Sequence, residues 1–275
     1  MRDHLHEIVA QRQGSLQKIC AAREYLQARM LQTLQETGAF RHWAFVGGTA
    51  LRFLYSIPRF SEDLDFSKVL AAPLPDFRNS VARIKTGFEA EGYSVALAVK
   101  SDKTVASAFV KFPGLLHDLG LSPHPSQILS IKVEVDTNPP AGAVLDTTLV
   151  RRLGLTLNLT HYDKASLLAG KVHALLTRTY TKGRDLYDLI WYLADPGWPA
   201  PNMILLAAAL EQTGWTGPVP TDATWRGVLA ERLASVNWRA AQADVSPFLE
   251  READRNLVTR DNVMDLLNPY LKLTE

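Results

Sequence analysis

Apolar positions recur at helical spacing near the start of the chain: Leu16, Ile19, Cys20, Leu26, Met30, Leu31 and Leu34. This predicts helix over residues 3–37, divided into two helices at Gly14 and stopped at Gly38. The period then shortens. His42–Val46 reads as a short buried strand, and Leu64 and Phe66 alternate with Asp63 and Asp65 as in a second strand. Between them, Gly47-Gly48 predicts a sharp turn, Thr49 a helix cap and Pro58 the end of a short helix that runs through Tyr55. Pro73-Leu74-Pro75 reads as a loop, followed by a helix capped by Asp76 and running to about Ala90. Strands are expected at Tyr93–Val99 and Thr104–Phe112, joined by a Ser101-Asp102-Lys103 turn. Pro113 to Ser126 reads as loop, Ile128–Asp136 as a clear strand and Arg151–Leu159 as a last strand.

From Tyr162 onward the pattern is helical, with helices expected near 163–179, 184–194, 201–213, 223–243 and 260–268. Asp195-Pro196-Gly197-Trp198-Pro199 is a firm break. The predicted fold class is α/β (α+β). An α/β lobe over residues 1–160 is followed by an all-helical lobe over 161–275, which is expected to complete an active-site cleft.

The alternation around Asp63 and Asp65 changes this picture from architecture to chemistry. Residues two apart on a strand share a face, with Cα atoms about 6–7 Å apart. Carboxylates so placed suit divalent ions about 3.5–4 Å apart, the arrangement used for in-line displacement at phosphorus. Hard oxygen donors favour Mg²⁺ or Mn²⁺. The helix that follows Gly47 and Gly48 would offer free N–H groups to the phosphates of an NTP. Lys132, Glu134 and Asp136 share one strand face, and either Glu134 or Asp136 would serve as a third carboxylate. Lys171 and Arg178 stand seven apart, two turns along one predicted helix face, where both would reach a triphosphate. Arg184 and Asp188 have the i,i+4 spacing of a helix pair, while Asp185 would cap its helix, position Lys171 or help hold base or ribose. His42, His161 and His173 have no metal-ligand spacing.

Composition narrows the setting. The net charge is +1, so the chain as a whole is not a basic nucleic-acid binder. Residues 151–184, however, hold seven basic residues against Asp163 alone, a local +6 that leaves −5 for the rest. Such a field would steer polyphosphate or RNA. A single cysteine, Cys20, excludes an internal disulfide and fits a reducing cytoplasm. Met1 is followed by Arg2-Asp3-His4 rather than an apolar stretch, so no signal peptide is expected. The longest apolar run, Met203 to Leu210, is too short to span a membrane.

Four blocks in order resemble the AbiEii/AbiGii toxin family of the nucleotidyltransferase superfamily, which includes the MenT-type toxins. They are Gly47-Gly48-Thr49-Ala50-Leu51 with Arg59 and Ser61-Glu62-Asp63-Leu64-Asp65-Phe66; Lys132-Val133-Glu134-Val135; Lys171-Val172-His173-Ala174-Leu175 through Arg178; and Gly183-Arg184-Asp185-Leu186-Tyr187-Asp188-Leu189. The resemblance implies a nucleotidyltransferase fold with a mixed, twisted sheet and a helical C-terminal lobe. It implies Mg²⁺-dependent transfer of a nucleoside monophosphate from an NTP, with tRNA 3′ acceptor ends as the target, in toxin–antitoxin or phage-defence systems. A cognate antitoxin, often a winged-helix protein, is the implied partner. By the same resemblance Asp63, Asp65 and Glu134 bind metal, and Asp136 shares the face of Glu134. Ser61 contacts phosphate, alongside Gly47, Gly48, Thr49, Arg178 and Arg184. Lys171 neutralises the triphosphate, and Asp185 completes the site. A protein acceptor, such as the antitoxin, and a non-catalytic nucleotide-binding module are the competing readings.

Overall fold

The computed structural model describes residues 2–69 and 76–268; the expected Pro73-Leu74-Pro75 loop lies outside them. The elements run in order α1 (Arg2–Ala10), α2 (Ser15–Glu36), β1 (Trp43–Val46), α3 (Gly47–Tyr55), β2 (Leu64–Lys68), α4 (Phe77–Ala90), β3 (Ala96–Lys100), β4 (Val105–Phe112), α5 (Leu115–Asp118), β5 (Leu129–Asp136), β6 (Leu145–Arg152) and β7 (Leu155–Tyr162). Then come α6 (Lys164–Thr177), α7 (Gly183–Ala194), α8 (Met203–Gln212), α9 (Trp225–Leu233), α10 (Trp238–Val245) and α11 (Arg260–Leu267). Chain contacts divide into two units. The first holds Met1–Ser56, Phe60–Pro139 and Asp146–His161; the second holds Ile57–Arg59, Pro140–Leu145 and Tyr162–Glu275.

The first unit is built on a mixed sheet in the order β3-β4-β5-β2-β1-β7-β6. β1 runs antiparallel to β2 and parallel to β7, while β2 runs parallel to β5. Alternation explains which side of the sheet is covered. Ala106, Ala108, Val110 and Phe112 of β4 and Leu129, Ile131, Val133 and Val135 of β5 are buried. Their neighbours Ser107 and Lys111, with Ser130, Lys132, Glu134 and Asp136, are half-buried. Phe45 and Phe66 stack at 5.3 Å between ring centroids, with Trp43 against Phe66 at 5.8 Å. α2 is buried along much of its length, from Cys20 to Leu34.

Several expectations are corrected here. Residues 151–159 are not one strand: β6 and β7 form two, parted at Leu153 (φ 50°) and Gly154 (φ 77°). Positive φ at both central residues marks the two-residue hairpin turn, and a leucine there gives no sequence signal. The expected 223–243 helix is two, because the Asn237 side chain accepts from the Ala240 N–H and starts α10 afresh. The 113–126 loop contains α5. Thr49 does not cap α3, whose cap position is Val46.

The second unit packs α6 and α7 together, with α8 and α9 on α6 and α10 and α11 on α7. At Gly183, the first residue of α7, an added Cβ would lie 1.8 Å from the Ala241 carbonyl oxygen. Glycine at the head of the fourth motif therefore serves close helix packing. Asp244 fixes the same point by accepting from the Gly183 N–H at 2.8 Å. Among the described residues no helix is long and apolar enough to cross a membrane.

Candidate functional site

In the first unit, β1 leads straight into α3, and the register places Val46 opposite Asp65. Gly47 follows with φ 78°, and a Cβ there would fall 2.5 Å from Asp65 Oδ2. The glycine is thus required twice: by its backbone angle and by a carboxylate that occupies the space a side chain would fill. It also sets Asp65 against the first turn of a helix, where unpaired N–H groups favour negative charge. Asp63 stands two residues before Asp65, just ahead of β2, and both are half-buried.

The backbone leading to this pair is anchored from below. The buried Gln27 side chain donates to the carbonyls of Ser61 at 3.1 Å and Glu62 at 2.9 Å. Thr49, also fully buried, donates its hydroxyl to the Asp63 carbonyl. Its hydroxyl proton is therefore committed to holding the strand. Gly48 is buried in the same turn, and Ser61 is half-buried ahead of the acids. Sequence reasoning missed Gln27, because a glutamine inside a long amphipathic helix carries no motif.

Register separates the two further acids. Asp65 is the direct cross-strand partner of Glu134, whereas Asp136 pairs with Ser67, one row away. Glu134 forms an ion pair with Lys132 at 2.8 Å. Asp136 accepts from the Asn138 N–H, and burial raises its pKa. Asp63, Asp65 and Glu134 supply the hard oxygen donors that suit Mg²⁺ or Mn²⁺. Among the described residues, no three such side chains yet converge to a metal cage.

In the second unit, Lys171, Arg178, Asp185 and Asp188 come together with Arg59. Arg59 and Asp188, 129 residues apart, form a two-pronged pair with both bonds at 2.5 Å, and both side chains are buried. Lys171 reaches Asp188 at 2.6 Å and Asp185 at 2.9 Å. Arg178 binds the second oxygen of Asp185. Burial opposes the charge on Lys171, but Asp185 and Asp188 outweigh it and hold its pKa above the ordinary lysine range. Burial likewise opposes the charge on Asp185, yet Lys171 and Arg178 keep its pKa below the ordinary carboxyl range. Arg59 is buried too, and Asp188 more than offsets that burial.

Three expectations change. Asp188 pairs with Arg59 and Lys171 rather than with Arg184, whose guanidinium lies 4.2 Å from the Phe248 ring centroid. Asp185 does not cap α7, whose cap residue is Lys182; of its expected roles, the contacts match that of positioning Lys171. Arg178 has left the helix: α6 ends at Thr177, and Arg178 is extended. Its side chain remains 40% exposed, against 13% for Lys171, so it is the more open cation of the pair. His161 and His173 bond to the hydroxyls of Thr148 and Thr213.

The fold resembles that of a protein from H. pylori named as a candidate nucleotidyltransferase, with TM-score 0.51 and 18% identity over 92% of this chain and 96% of that one. It also resembles MenT4, a nucleotidyltransferase toxin from Mycobacterium tuberculosis H37Rv, with TM-score 0.50 and 20% identity over 97% of this chain and 99% of that one. No curated protein matches the chain in sequence. Residues 29–260 match the family described as nucleotidyl transferase AbiEii toxin, type IV TA system. That match takes in all four sequence blocks, from Gly47 to Leu189, together with the last eight residues of α2. The chain therefore belongs to the AbiEii family of nucleotidyl transferase toxins of type IV toxin–antitoxin systems.

Proposed function

We propose that this nucleotidyltransferase toxin moves a nucleoside monophosphate from an NTP to RNA in the cytoplasm, at the 3′ acceptor end of tRNA, and so blocks translation. The observation that carries the reading is the placement of Asp65 against Gly47 at the start of α3, with Asp63 on the same face and Glu134 across the register. In this reaction the acceptor 3′-oxygen bonds to the α-phosphorus. The bond from that phosphorus to the bridging oxygen breaks, pyrophosphate leaves, and the hydroxyl proton passes to water. A divalent cation, held by Asp63, Asp65 and Glu134, would supply charge neutralisation at the reacting phosphate. Gly47 gives the phosphates close approach to the backbone N–H groups of α3, and Ser61 adds a hydroxyl. Within the second unit, Arg178 carries a planar, partly exposed guanidinium, and Lys171 acts through the carboxylates that it binds. The family implies an antitoxin partner; the proposed source is a neighbouring reading frame.

The test combines the protein, Mg²⁺, each α-labelled NTP in turn and total tRNA. Label on tRNA that requires the divalent ion and disappears in Asp65→Ala is the expected result. Label confined to protein would move the acceptor from RNA to a protein side chain. Undiminished labelling by Asp65→Ala would refute the site.

A further inference from the structure

The sheet continues outward from the acid pair as an open face, and that face carries an unusual set of side chains. Following the register from β2, Asp65 pairs with Glu134, Glu134 with Ser107, and Ser107 with Lys100. In the adjacent row Lys132 pairs with Phe109, and Phe109 with Ala98. One row further Lys111 pairs with Ala96 and Ser130. The opposite face of β4 is buried from Ala106 to Phe112, so the alternation leaves Phe109 on the open side. There it is 41% exposed, where a strand of this pattern would ordinarily carry a polar residue. Ala98, its neighbour on β3, has too short a side chain to cover the ring. Lys132 Nζ lies 5.8 Å from the ring centroid on the other flank.

The charge around the ring is basic. Lys111 is two residues along the same strand, and Lys100 is diagonal to Phe109 on β3. Neither Lys100 nor Lys111 enters an ion pair with a described residue, whereas Lys132 is paired with Glu134. An exposed aromatic ring between lysines fits a polyanion that also has flat apolar faces, namely a single-stranded nucleic acid. An acidic peptide would use the lysines but has no need of the ring. A lipid surface would need a larger apolar patch.

We infer that the β3-β4-β5 face is the track for the acceptor RNA, with Phe109 stacking on a base and Lys100 and Lys111 meeting the phosphates. Phe109 stands two strands and one row from Asp65, about 10–12 Å away by strand spacing and rise. The stacked base is therefore a short step back from the reacting 3′-hydroxyl. The inference rests on the proposed RNA acceptor and specifies how that acceptor is held. Stacking is indifferent to base identity, so this contact sets strand path rather than sequence preference.

The experiment measures binding of a fluorescein-labelled single-stranded oligoribonucleotide with a free 3′-hydroxyl, and transfer to tRNA, for wild type, Phe109→Ala, Phe109→Trp, Lys100→Ala and Lys111→Ala. Phe109→Ala should weaken oligonucleotide binding about thirtyfold, the middle of the range for losing one stacked base. It should raise the KM for RNA while leaving that for the NTP unchanged, and Phe109→Trp should restore both. Each lysine variant should reduce the slope of log affinity against log salt by about 0.7. If wild type labels RNA and Phe109→Ala matches it in affinity and KM, the inference is overturned and the proposed function stands. If RNA binding depends on Phe109 but label goes only to protein, the acceptor reading fails and the surface stands. If wild type neither binds the oligonucleotide nor labels RNA, both fail. A ring that merely shields the stem of Lys132 would alter the melting temperature without altering RNA binding.

Discussion

The acid pair of the first unit and the acid cluster of the second handle charge in opposite ways. At the start of β2, Asp63 and Asp65 are half-exposed, and much of what holds them is backbone: the Gly47 turn, and the carbonyls of residues 61–63 tied to Gln27 and Thr49. In the helical unit, Asp185 and Asp188 are buried and meet Lys171, Arg178 and Arg59 with little solvent between them. In the proposed function the first arrangement serves a cation and phosphate. The second uses carboxylates to stabilise other charges, and Arg178 alone in it retains substantial exposure. Both arise from acids in strongly marked motifs, so a motif by itself does not say whether an acid reacts or supports.

The sharpest way to break this contrast is in the buried cluster. Asp188→Ala leaves Arg59 and Lys171 buried without their shared partner. Removing one member of a buried ion pair costs about 3–5 kcal/mol. The midpoint of urea denaturation should fall accordingly; a midpoint within error of wild type would show that the cluster is not the support described. A smaller effect is expected at the open pair. Gly47→Ala places an L side chain at φ 78° and pushes a methyl against Asp65 Oδ2. The backbone cost is about 1–2 kcal/mol, and the displacement of Asp65 should reduce transfer far more than stability. Equal activity in Gly47→Ala would remove the argument for the close approach.

The smallest effect is the pH response of the buried cluster. Asp185 has a folded pKa lowered from 3.8, so its contribution is fully present above that value and is lost as pH falls through the lowered one. Lys171 has a folded pKa raised from 10.5, so its contribution is complete below that value and is lost as pH rises through the raised one. Melting temperature against pH should therefore decline at both extremes, and Asp185→Asn should flatten the acid limb. An unchanged acid limb would place the acid sensitivity elsewhere, for example at Glu24, whose pKa is lowered by Arg52 and Arg152 against its burial.

Much of this was legible in the sequence because local rules governed it. Gly14 breaks the first helical region, Asp76 caps α4, and the period-2 runs at 64–68 and 129–136 become β2 and β5. Motif order was enough to name the family. What was not legible depended on distant partners or on backbone angles that residue type does not reveal. Arg59 stood in the first motif without a role, because its partner Asp188 lies 129 residues away. Asp188 itself resembled one end of an i,i+4 helix pair until the fold supplied Arg59 and Lys171. Thr49 had the sequence position of a cap, yet its hydroxyl is drawn to the Asp63 carbonyl by β1 pairing with β2. The β2–β5 register, which sets Glu134 opposite Asp65 and Asp136 opposite Ser67, is likewise invisible in the sequence.

In the proposed function the half-exposed acid pair carries the reaction, while the buried cluster carries stability. The most direct measurement sets transfer of α-labelled NMP beside thermal melting for Asp65→Asn, a change that removes charge while nearly preserving shape. The account predicts that Asp65→Asn melts close to wild type and loses more than about 100-fold in transfer, since even outer partners of a metal site are worth 10–100-fold. Wild-type transfer by Asp65→Asn, with its melting temperature intact, would contradict the account.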